Sequence, residues 1–182
     1  RYKNINDYIN QKKNIITKKG VNLFSIDDKF SKAIFNQEKI NNKISFSILD
    51  KSADIYMKNG IICDKFFYKN KKILIKNISK DLEGNFNSQN ILISYICSKL
   101  LKLSQKNFLY SIKNFVGLPY RSEIIFDRKN LKIINNSKST NINSTINSIK
   151  NYTEIYLILG GIAKEKNFEI ILNYSDKINT VY

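Results

Sequence analysis

The only proline of the chain, Pro119, lies in the segment Gly117-Leu118-Pro119 and interrupts a helical pattern in the middle of the sequence. Proline has no backbone N–H and disfavours helical backbone in the residue before it, so it tends to end helices and to mark boundaries. A length of 182 residues allows one domain or two small ones. We therefore predict that the chain divides at this point into residues 1–116 and 117–182.

The first part begins with an α/β pattern. Apolar residues recur at helical spacing from Ile5 to Ile16 and predict an amphipathic helix with Lys12 on its apolar stripe. Such a lysine usually extends its ammonium group to water from a buried aliphatic stem. Residues 21–26 then predict a short strand, and Asp27-Asp28 predict the cap of a helix that runs through residue 35.

A β-rich stretch and two helices complete the first part. Residues 43–76 contain alternating apolar runs separated by Asn-Gly and Asn-Lys turns, which predict a small antiparallel meander with a strand at 66–68. An apolar stripe over residues 92–103 predicts a helix with Asn87 as its N-cap and Asn90 in its first turn. A second helix is expected from residue 104 to about residue 115.

The second part has the pattern of an open α/β sheet. Its predicted elements are strand, strand, helix, strand and helix, in the order 123–126, 131–134, 144–150, 155–159 and a segment near 168. Residues 155–159 are apolar throughout, as is typical of a parallel strand covered on both faces. Ligands of such sheets bind at loops that leave the carboxyl ends of strands. The loops at 135–140 and 160–164 are therefore candidate ligand sites.

The two ends of the sequence interrupt predicted elements. Arg1 opens the chain without an initiator methionine, and residues 178–182 form a strand pattern that stops with the sequence. We therefore expect both ends to be truncations of a longer protein.

The net charge of +16 is consistent with two explanations, a nucleic-acid surface or a biased genome composition. Only three of the 31 basic residues are arginines, and the residues with AT-rich codons are favoured together along the chain. A protein that reads nucleic acid would favour arginine, whose planar group bonds guanine and phosphate in a bidentate manner. We therefore expect no nucleic-acid partner, although the binding alternative stays open.

The residue inventory excludes several classes of protein. The chain has no histidine, no G-x-G-x-x-G segment and no phosphate-loop pattern, so chemistry that needs those groups is not carried by these residues. Cys63 and Cys97 are far apart and suit a reducing cytoplasm. No signal peptide or run of about 20 apolar residues occurs, so we expect no membrane association.

Several segments combine into a more specific pattern than each gives alone. The loop after residue 134 would by itself indicate a polar turn, and Gly160-Gly161 would indicate backbone geometry. Together, Gly117-Leu118-Pro119-Tyr120-Arg121, Asn135 to Asn141, and Gly160-Gly161 with Lys164 resemble in order and spacing the GLPHR, NDSKATN and GG-x-x-K motifs of the Mur ligases. Residues 84–90 resemble the family's G-x-H-N-x-x-N, and residues 1–15 resemble the helix after its metal-binding histidine.

This resemblance covers essentially the whole chain and implies its architecture. It implies an α/β protein that contains the later half of the central ATPase domain of a Mur ligase in residues 1–116. Residues 117–182 would be the first half of the Rossmann-like C-terminal domain. The nucleotide-sugar domain, the phosphate loop and the histidine would precede residue 1.

The resemblance also implies the activity. The loop at 135–141 is similar to that of the family member that adds D-glutamate to UDP-N-acetylmuramoyl-L-alanine. ATP would phosphorylate the substrate carboxylate, and the amine of D-glutamate would attack the resulting acyl phosphate. The implied partners are these substrates, with ATP and Mg²⁺ as cofactors, in a cytoplasmic monomer.

Single residues match the functional positions of the family. Lys12 matches a carbamylated lysine that binds magnesium, a modification that requires a neutral amine and is therefore favoured by burial. The positions that match nucleotide-contacting residues are Asn87, Asn90, Arg121 and Asn136. The positions that match residues handling D-glutamate and the reacting phosphate are Lys138, Thr140 and Lys164, with Lys138 as a catalytic residue beside Lys12.

The chain departs from the family pattern at four positions. Asn136 replaces an aspartate, which removes a charged acceptor, while Tyr120 and Phe86 replace histidines and Ile162 replaces a common acidic residue. Because the other matched residues are present, we expect an active ligase. Another amide-forming relative, such as a folate polyglutamylating enzyme, is the alternative.

Overall fold

The computed structural model describes residues 3–162 and 167–182, and their side chains apart from those of Asn85 and Phe86. The chain forms two compact units. Unit 1 consists of Arg1–Ile78 and Asn85–Asn114, and unit 2 consists of Ser79–Gly84 and Phe115–Tyr182. The assignment of residues 1–116 and 117–182 to a central and a C-terminal ligase domain stays a prediction.

Unit 1 combines helices with a five-stranded sheet of order β1-β2-β3-β4-β5. The strands are β1 (Asn22–Ser25), β2 (Lys43–Ser47), β3 (Ile55–Lys58), β4 (Ile61–Asp64) and β5 (Lys71–Leu74). The helices are α1 (Ile5–Lys13), α2 (Lys29–Gln37), α3 (Asn85–Leu100) and α4 (Gln105–Lys113).

Local sequence explains many of these boundaries. The Asp28 side chain accepts hydrogen bonds from the backbone of Phe30 and Ser31 and so caps α2, which confirms the predicted cap. Asn59 and Gly60 have φ angles of 50° and 70° and form the two-residue turn between β3 and β4. Asn-Gly is a favoured pair in such a turn because both central residues need positive φ.

The pairing of β2 differs from the prediction. β1 pairs with β2, and β2 with β3, in parallel, and only β3, β4 and β5 form the antiparallel meander. Strand patterning shows which residues face the core but does not show the direction of the neighbouring strand. The helix α2 supplies the crossover that brings β2 parallel to β1.

Two further expectations in unit 1 are wrong. Residues 66–68 form a bend instead of a strand, because Asp64 Oδ1 accepts hydrogen bonds from the backbone N–H groups of Phe66 and Phe67 at 3.0 and 2.8 Å. This local bonding competes with sheet formation. The third helix begins at Asn85, so Asn87 lies inside its first turn and is not its N-cap.

The core of unit 1 lies between the sheet and α3. α3 packs against β2, β3 and α4. The hydrophobic side chains of the sheet and of α3 that are at most 1% exposed are Ile44, Ile55, Ile62, Ile73, Leu92, Tyr95 and Ile96. Full burial of such a side chain contributes about 1.5–3 kcal/mol. Leu92, Tyr95 and Ile96 of the predicted stripe therefore lie in the core, whereas Leu100 and Leu103 at its end are 38% and 46% exposed.

The described residues of unit 2 contain two pairs of strands and one α-helix. Its elements are a 3₁₀ helix (Lys80–Leu82), β6 (Glu123–Arg128), β7 (Leu131–Asn135), α5 (Ile142–Ile149), β8 (Ile155–Leu157), a 3₁₀ segment (Phe168–Lys177) and β9 (Ile178–Val181). β6 and β7 pair antiparallel, and β8 pairs in parallel with β9. The core of this unit is formed by Ile142, Ile146, Ile149 and Ile171.

The strand at 155–159 is only partly as predicted. It is parallel to its neighbour but ends at Leu157, and Tyr156 and Ile158 are 65% and 81% exposed. The prediction that this strand is covered on both faces is therefore wrong for the described chain, in which one face of β8 packs on the core of unit 2. The helix expected near residue 168 is the 3₁₀ segment.

Candidate functional site

Two loops of unit 2 that carry predicted site residues are joined by hydrogen bonds. We call Gly117–Ser122 the Arg121 loop and Asn136–Asn141 the Lys138 loop. The backbone N–H of Lys138 donates to the carbonyl oxygen of Tyr120 at 3.0 Å. The N–H of Ser122 donates to Asn136 Oδ1 at 3.2 Å. The fold thus joins the segments that contain Arg121, Asn136 and Lys138.

The backbone of the Arg121 loop is strained on both sides of the arginine. Tyr120 and Ser122 have φ angles of 66° and 50°, in the left-handed region that side chains other than glycine adopt at a cost. The N–H of Tyr120 donates to Glu123 Oε2 at 2.9 Å, and that of Arg121 donates to the carbonyl of Leu118 at 3.2 Å. These bonds, with those from the Lys138 loop, hold the strained backbone and leave the Arg121 side chain exposed.

The side-chain amide of Asn136 is committed to neighbours within the unit. Because the Ser122 N–H is a donor, the amide oxygen must face it, and the amide nitrogen therefore faces Ser148, to whose Oγ it donates at 2.8 Å. Ser148 belongs to α5. Asn136 consequently links the Arg121 loop, the Lys138 loop and this helix.

The Lys138 loop leads into the N-terminus of α5. Asn141 is the N-cap, and its side chain accepts a hydrogen bond from the N–H of Ser144 at 2.9 Å. Lys138 and Thr140 are exposed just before this cap. An ammonium group and a helix N-terminus both favour anionic groups such as carboxylates and phosphates. Lys164 lies outside the described residues.

Asn87 and Asn90 lie one helical turn apart near the start of α3 in unit 1. Asn87 is 8% exposed, whereas Asn90 is exposed. Asn90 Nδ2 donates to Asn87 Oδ1 at 3.2 Å. The exposed asparagine therefore has its orientation set by the buried one.

The prediction that Lys12 lies on a buried face is wrong in the described chain. α1 has no buried residue, and Lys12 is exposed with its ammonium nitrogen 5.3 Å from the centre of the Tyr8 ring. Ile5 and Ile15 of the same predicted stripe are 53% and 80% exposed. The apolar spacing forms the helix but does not bury it, so the environment that would favour a carbamate is not supplied by the described residues.

Sequence reasoning missed a polar cluster at the carboxyl ends of β1 and β2. The sequence predicts Asp27 only as part of a helix cap, yet its carboxylate accepts hydrogen bonds from Ser47, from the backbone after β2 and from Gln89 of α3. Its position directly after a strand was the available signal, because the carboxyl ends of parallel strands gather polar groups. Ser148 was also missed, since a serine within a helix carries no special pattern.

Within residues 3–162 and 167–182, no group of three or more His, Cys, Asp or Glu side chains could hold a metal ion. None of the helices in that part of the chain is both long and apolar enough to span a bilayer.

Known proteins match this chain along nearly its whole length. No protein-family model matches. The UDP-N-acetylmuramoylalanine–D-glutamate ligase of Rickettsia prowazekii is 34% identical over 186 residues, which cover 100% of this chain and 41% of the relative. The ligase of the same name from Buchnera aphidicola subsp. Acyrthosiphon pisum (strain Tuc7) is 35% identical over 184 residues, covering 95% and 39%.

Solved structures of related ligases share the fold. A UDP-N-acetylmuramoyl-L-alanyl-D-glutamate–2,6-diaminopimelate ligase superposes with a TM-score of 0.63 at 12% identity, covering 100% of this chain and 40% of that one. A UDP-N-acetylmuramoylalanyl-D-glutamyl-2,6-diaminopimelate–D-alanyl-D-alanyl ligase from Acinetobacter baumannii gives 0.56 at 13% identity, covering 92% and 43%. The chain belongs to the Mur ligase family.

The family resemblance and the α/β fold predicted from the sequence are thereby confirmed. The chain spans about two fifths of the length of the curated ligases that it matches. The joined Arg121 and Lys138 loops are the two segments that resemble the GLPHR and NDSKATN motifs of the Mur ligases. The individual roles of their residues stay predictions.

Proposed function

We propose that this chain is part of an ATP-dependent, peptide-bond-forming ligase that adds D-glutamate to UDP-N-acetylmuramoyl-L-alanine for peptidoglycan precursors. The curated relatives carry the name of that ligase at 34–36% identity over the whole chain. The structural observation that supports the proposal most is the direct joining of the Arg121 loop to the Lys138 loop. We further propose that the ligase acts as a monomer in the cytoplasm, without nucleic acid.

The proposed binding residues fall into two groups. Those assigned to the nucleotide are Asn87, Asn90, Arg121 and Asn136, and those assigned to D-glutamate and the reacting phosphate are Lys138, Thr140 and Lys164. D-Glutamate is a dicarboxylate, and the exposed Lys138 ammonium before the α5 N-terminus suits such an anion. The exposed Arg121 guanidinium suits a phosphate.

In the proposed reaction, the terminal carboxylate of UDP-N-acetylmuramoyl-L-alanine attacks the γ-phosphorus of ATP, and ADP leaves. The amine of D-glutamate then attacks the acyl phosphate, phosphate leaves with the bonding electrons, and the amine loses a proton. Lys138, as a catalytic residue, would stabilise the negative charge that develops on the reacting phosphate and carbonyl oxygens. Its exposed side chain is carried by a loop fixed to Tyr120.

Magnesium, when bound, would neutralise the charge on the transferring phosphoryl group. We retain Lys12 as its proposed ligand, in carbamylated form, on the family resemblance alone. The exposed position of Lys12 in α1 does not supply the burial that a carbamate favours, so no step of the reaction is derived through it.

The proposal is tested by phosphate release from ATP in the complete gene product. Release should require both UDP-N-acetylmuramoyl-L-alanine and D-glutamate, and other amino acids should not replace D-glutamate. Release without dependence on D-glutamate would refute the proposal. Lys138→Ala should lower kcat by about 100-fold or more, because it removes a charged group from the reacting phosphate.

A matched control is Lys113→Ala, at the last residue of α4. This lysine lies outside the proposed site, so its replacement should leave kcat and both KM values unchanged. Equal losses in the two variants would show that charge in general matters and would remove Lys138 from the site.

A further inference from the structure

A single carboxylate connects the ends of two parallel strands in unit 1. Asp27 follows β1, and its side chain accepts a hydrogen bond from the hydroxyl of Ser47, the last residue of β2. It also accepts from the backbone N–H groups of Ile48 at 3.1 Å and Leu49 at 3.2 Å. Asp27 therefore fixes the chain that leaves β2 to the chain that leaves β1.

Gln89 attaches helix α3 to the same carboxylate. Its Nε2 donates to Asp27 Oδ2 and lies 3.3 Å from the hydroxyl oxygen of Ser25, the last residue of β1. A carboxylate has about four acceptor positions, and the donors from Ser47, Ile48, Leu49 and Gln89 match that number. Asp27 is thus saturated by protein groups and acts as a junction of β1, β2 and α3.

The position of Gln89 on α3 relates this junction to the proposed nucleotide residues. Successive residues of a helix point about 100° apart, so Gln89 faces the strand ends while Asn90 is exposed in another direction. Asn90 is in turn bonded to Asn87 at 3.2 Å. The junction therefore fixes the helical segment from which both asparagines project.

We propose that Asp27 and Gln89 form a positioning pair that sets Asn87 and Asn90 for contact with the nucleotide. The inference rests on the nucleotide role proposed for these two asparagines. Gln89 itself does not touch the nucleotide. It holds the first two turns of α3 at a fixed position relative to the carboxyl ends of β1 and β2.

The test compares variants of Gln89 in the complete gene product. Gln89→Met keeps the length and shape of the side chain but removes the donor, whereas Gln89→Lys restores a donor to Asp27. Because a hydrogen bond to a carboxylate stabilises the position of α3, its loss in Gln89→Met should raise the Kd for ATP by about tenfold. The Kd for ATP of Gln89→Lys should stay within about threefold of wild type. The control is Gln105→Met, at the half-buried first residue of α4, which should not change the Kd.

Two measurements separate positioning from a merely structural role. Calorimetric titration gives the Kd for ATP, and steady-state kinetics gives the KM for D-glutamate, which should change by less than about twofold because Lys138 and Thr140 lie on a different unit. A lower urea midpoint with an unchanged Kd would overturn the proposal. So would equal weakening by the Met and Lys variants.

The titration with ATP alone distinguishes this proposal from the proposed function. A gene product that binds ATP in a Gln89-dependent manner but adds no D-glutamate would refute the ligase assignment and support the positioning pair. Wild-type protein that does not bind ATP would overturn the positioning pair.

Discussion

The buried contact between Tyr95 and Asp64 gives a prediction whose size follows from the structure. The Tyr95 hydroxyl donates to Asp64 Oδ2 at 2.6 Å, and both side chains are 0% exposed. The other oxygen of Asp64 is occupied by the N–H groups of Phe66 and Phe67. The bond therefore connects α3 to the end of β4, and no water can replace the hydroxyl without a rearrangement of the core.

Tyr95→Phe removes this hydroxyl and little else. The ring stays in place, including its edge contact with Phe108 at a centroid distance of 5.4 Å. Leaving a buried charged acceptor without its donor costs about 2 kcal/mol. With a urea slope of about 2 kcal/mol per M, the unfolding midpoint should fall by about 1 M.

The same contact predicts a dependence on pH. Burial, and next the hydrogen bond to Asp64, raise the pKa of Tyr95 above the ordinary tyrosine value. The folded state thus keeps the phenol proton at a pH where the unfolded state has lost it. The stability from Tyr95 is complete below about pH 10 and decreases above it by about 1.4 kcal/mol per pH unit for this one proton. Tyr95→Phe lacks this component.

Urea unfolding of the chain, followed by circular dichroism at pH 8 and at pH 11, measures both effects. Tyr110→Phe is the matched control, because Tyr110 is 69% exposed on α4. The control should differ from wild type by less than about 0.5 kcal/mol. The reasoning fails if Tyr95→Phe is equally neutral at pH 8, or if its difference from wild type is the same at both pH values.

Three other substitutions test separate features. Asn136→Asp keeps the acceptor for the Ser122 N–H and lets the Ser148 hydroxyl act as the donor, so kcat/KM should stay within about threefold of wild type. Asn136→Leu removes both hydrogen bonds and should lower kcat/KM by about tenfold or more. Equal kcat/KM values for the two variants would contradict this. Lys12→Ala should lower kcat by about 100-fold, with partial recovery when a small carboxylate is added, and unchanged turnover would remove Lys12 from the site. Asp28→Ala should cost about 1 kcal/mol at pH 7 through the lost cap of α2. Burial alone would raise the pKa of Asp28, but hydrogen bonds from the first turn of α2 lower it below the ordinary aspartate value. The stability that Asp28 contributes is therefore present above about pH 4 and is lost as the pH falls through the lower pKa of the folded state. If the difference between Asp28→Ala and wild type in urea unfolding were the same at pH 2 as at pH 7, the reasoning would be contradicted.

The elements of the fold that depend on local chemistry could be predicted from sequence. The cap at Asp28, the Asn59-Gly60 turn and the apolar stripe of α3 each follow from neighbouring residues. The direction of β2 could not be predicted, because it depends on which strand lies beside it. The aromatic composition of residues 66–68 predicts a strand, but the side chain of Asp64 accepts hydrogen bonds from their backbone and bends the chain there.

The candidate site was predictable where it consists of motifs and unpredictable where it consists of contacts. Their motifs predict that the Arg121 and Lys138 loops bind ligands, but the hydrogen bonds between the loops and the role of Ser148 depend on the tertiary fold. The same is true of Gln89, whose partner lies 62 residues away in sequence. The exposure of Lys12 could not be predicted either, because helical spacing specifies one face of a helix but not what covers that face.

The left-handed backbone on either side of Arg121 should couple ligand binding at the two loops of unit 2. Two strained residues cost about 1–3 kcal/mol each, and part of what offsets that cost comes from Asn136 and the Lys138 backbone. If one loop became disordered, the other would lose the bonds that keep its conformation. The two loops are therefore expected to order and disorder cooperatively. A molecule that contacts only one of them would then strengthen the binding of a second molecule at the other without any displacement of the average structure.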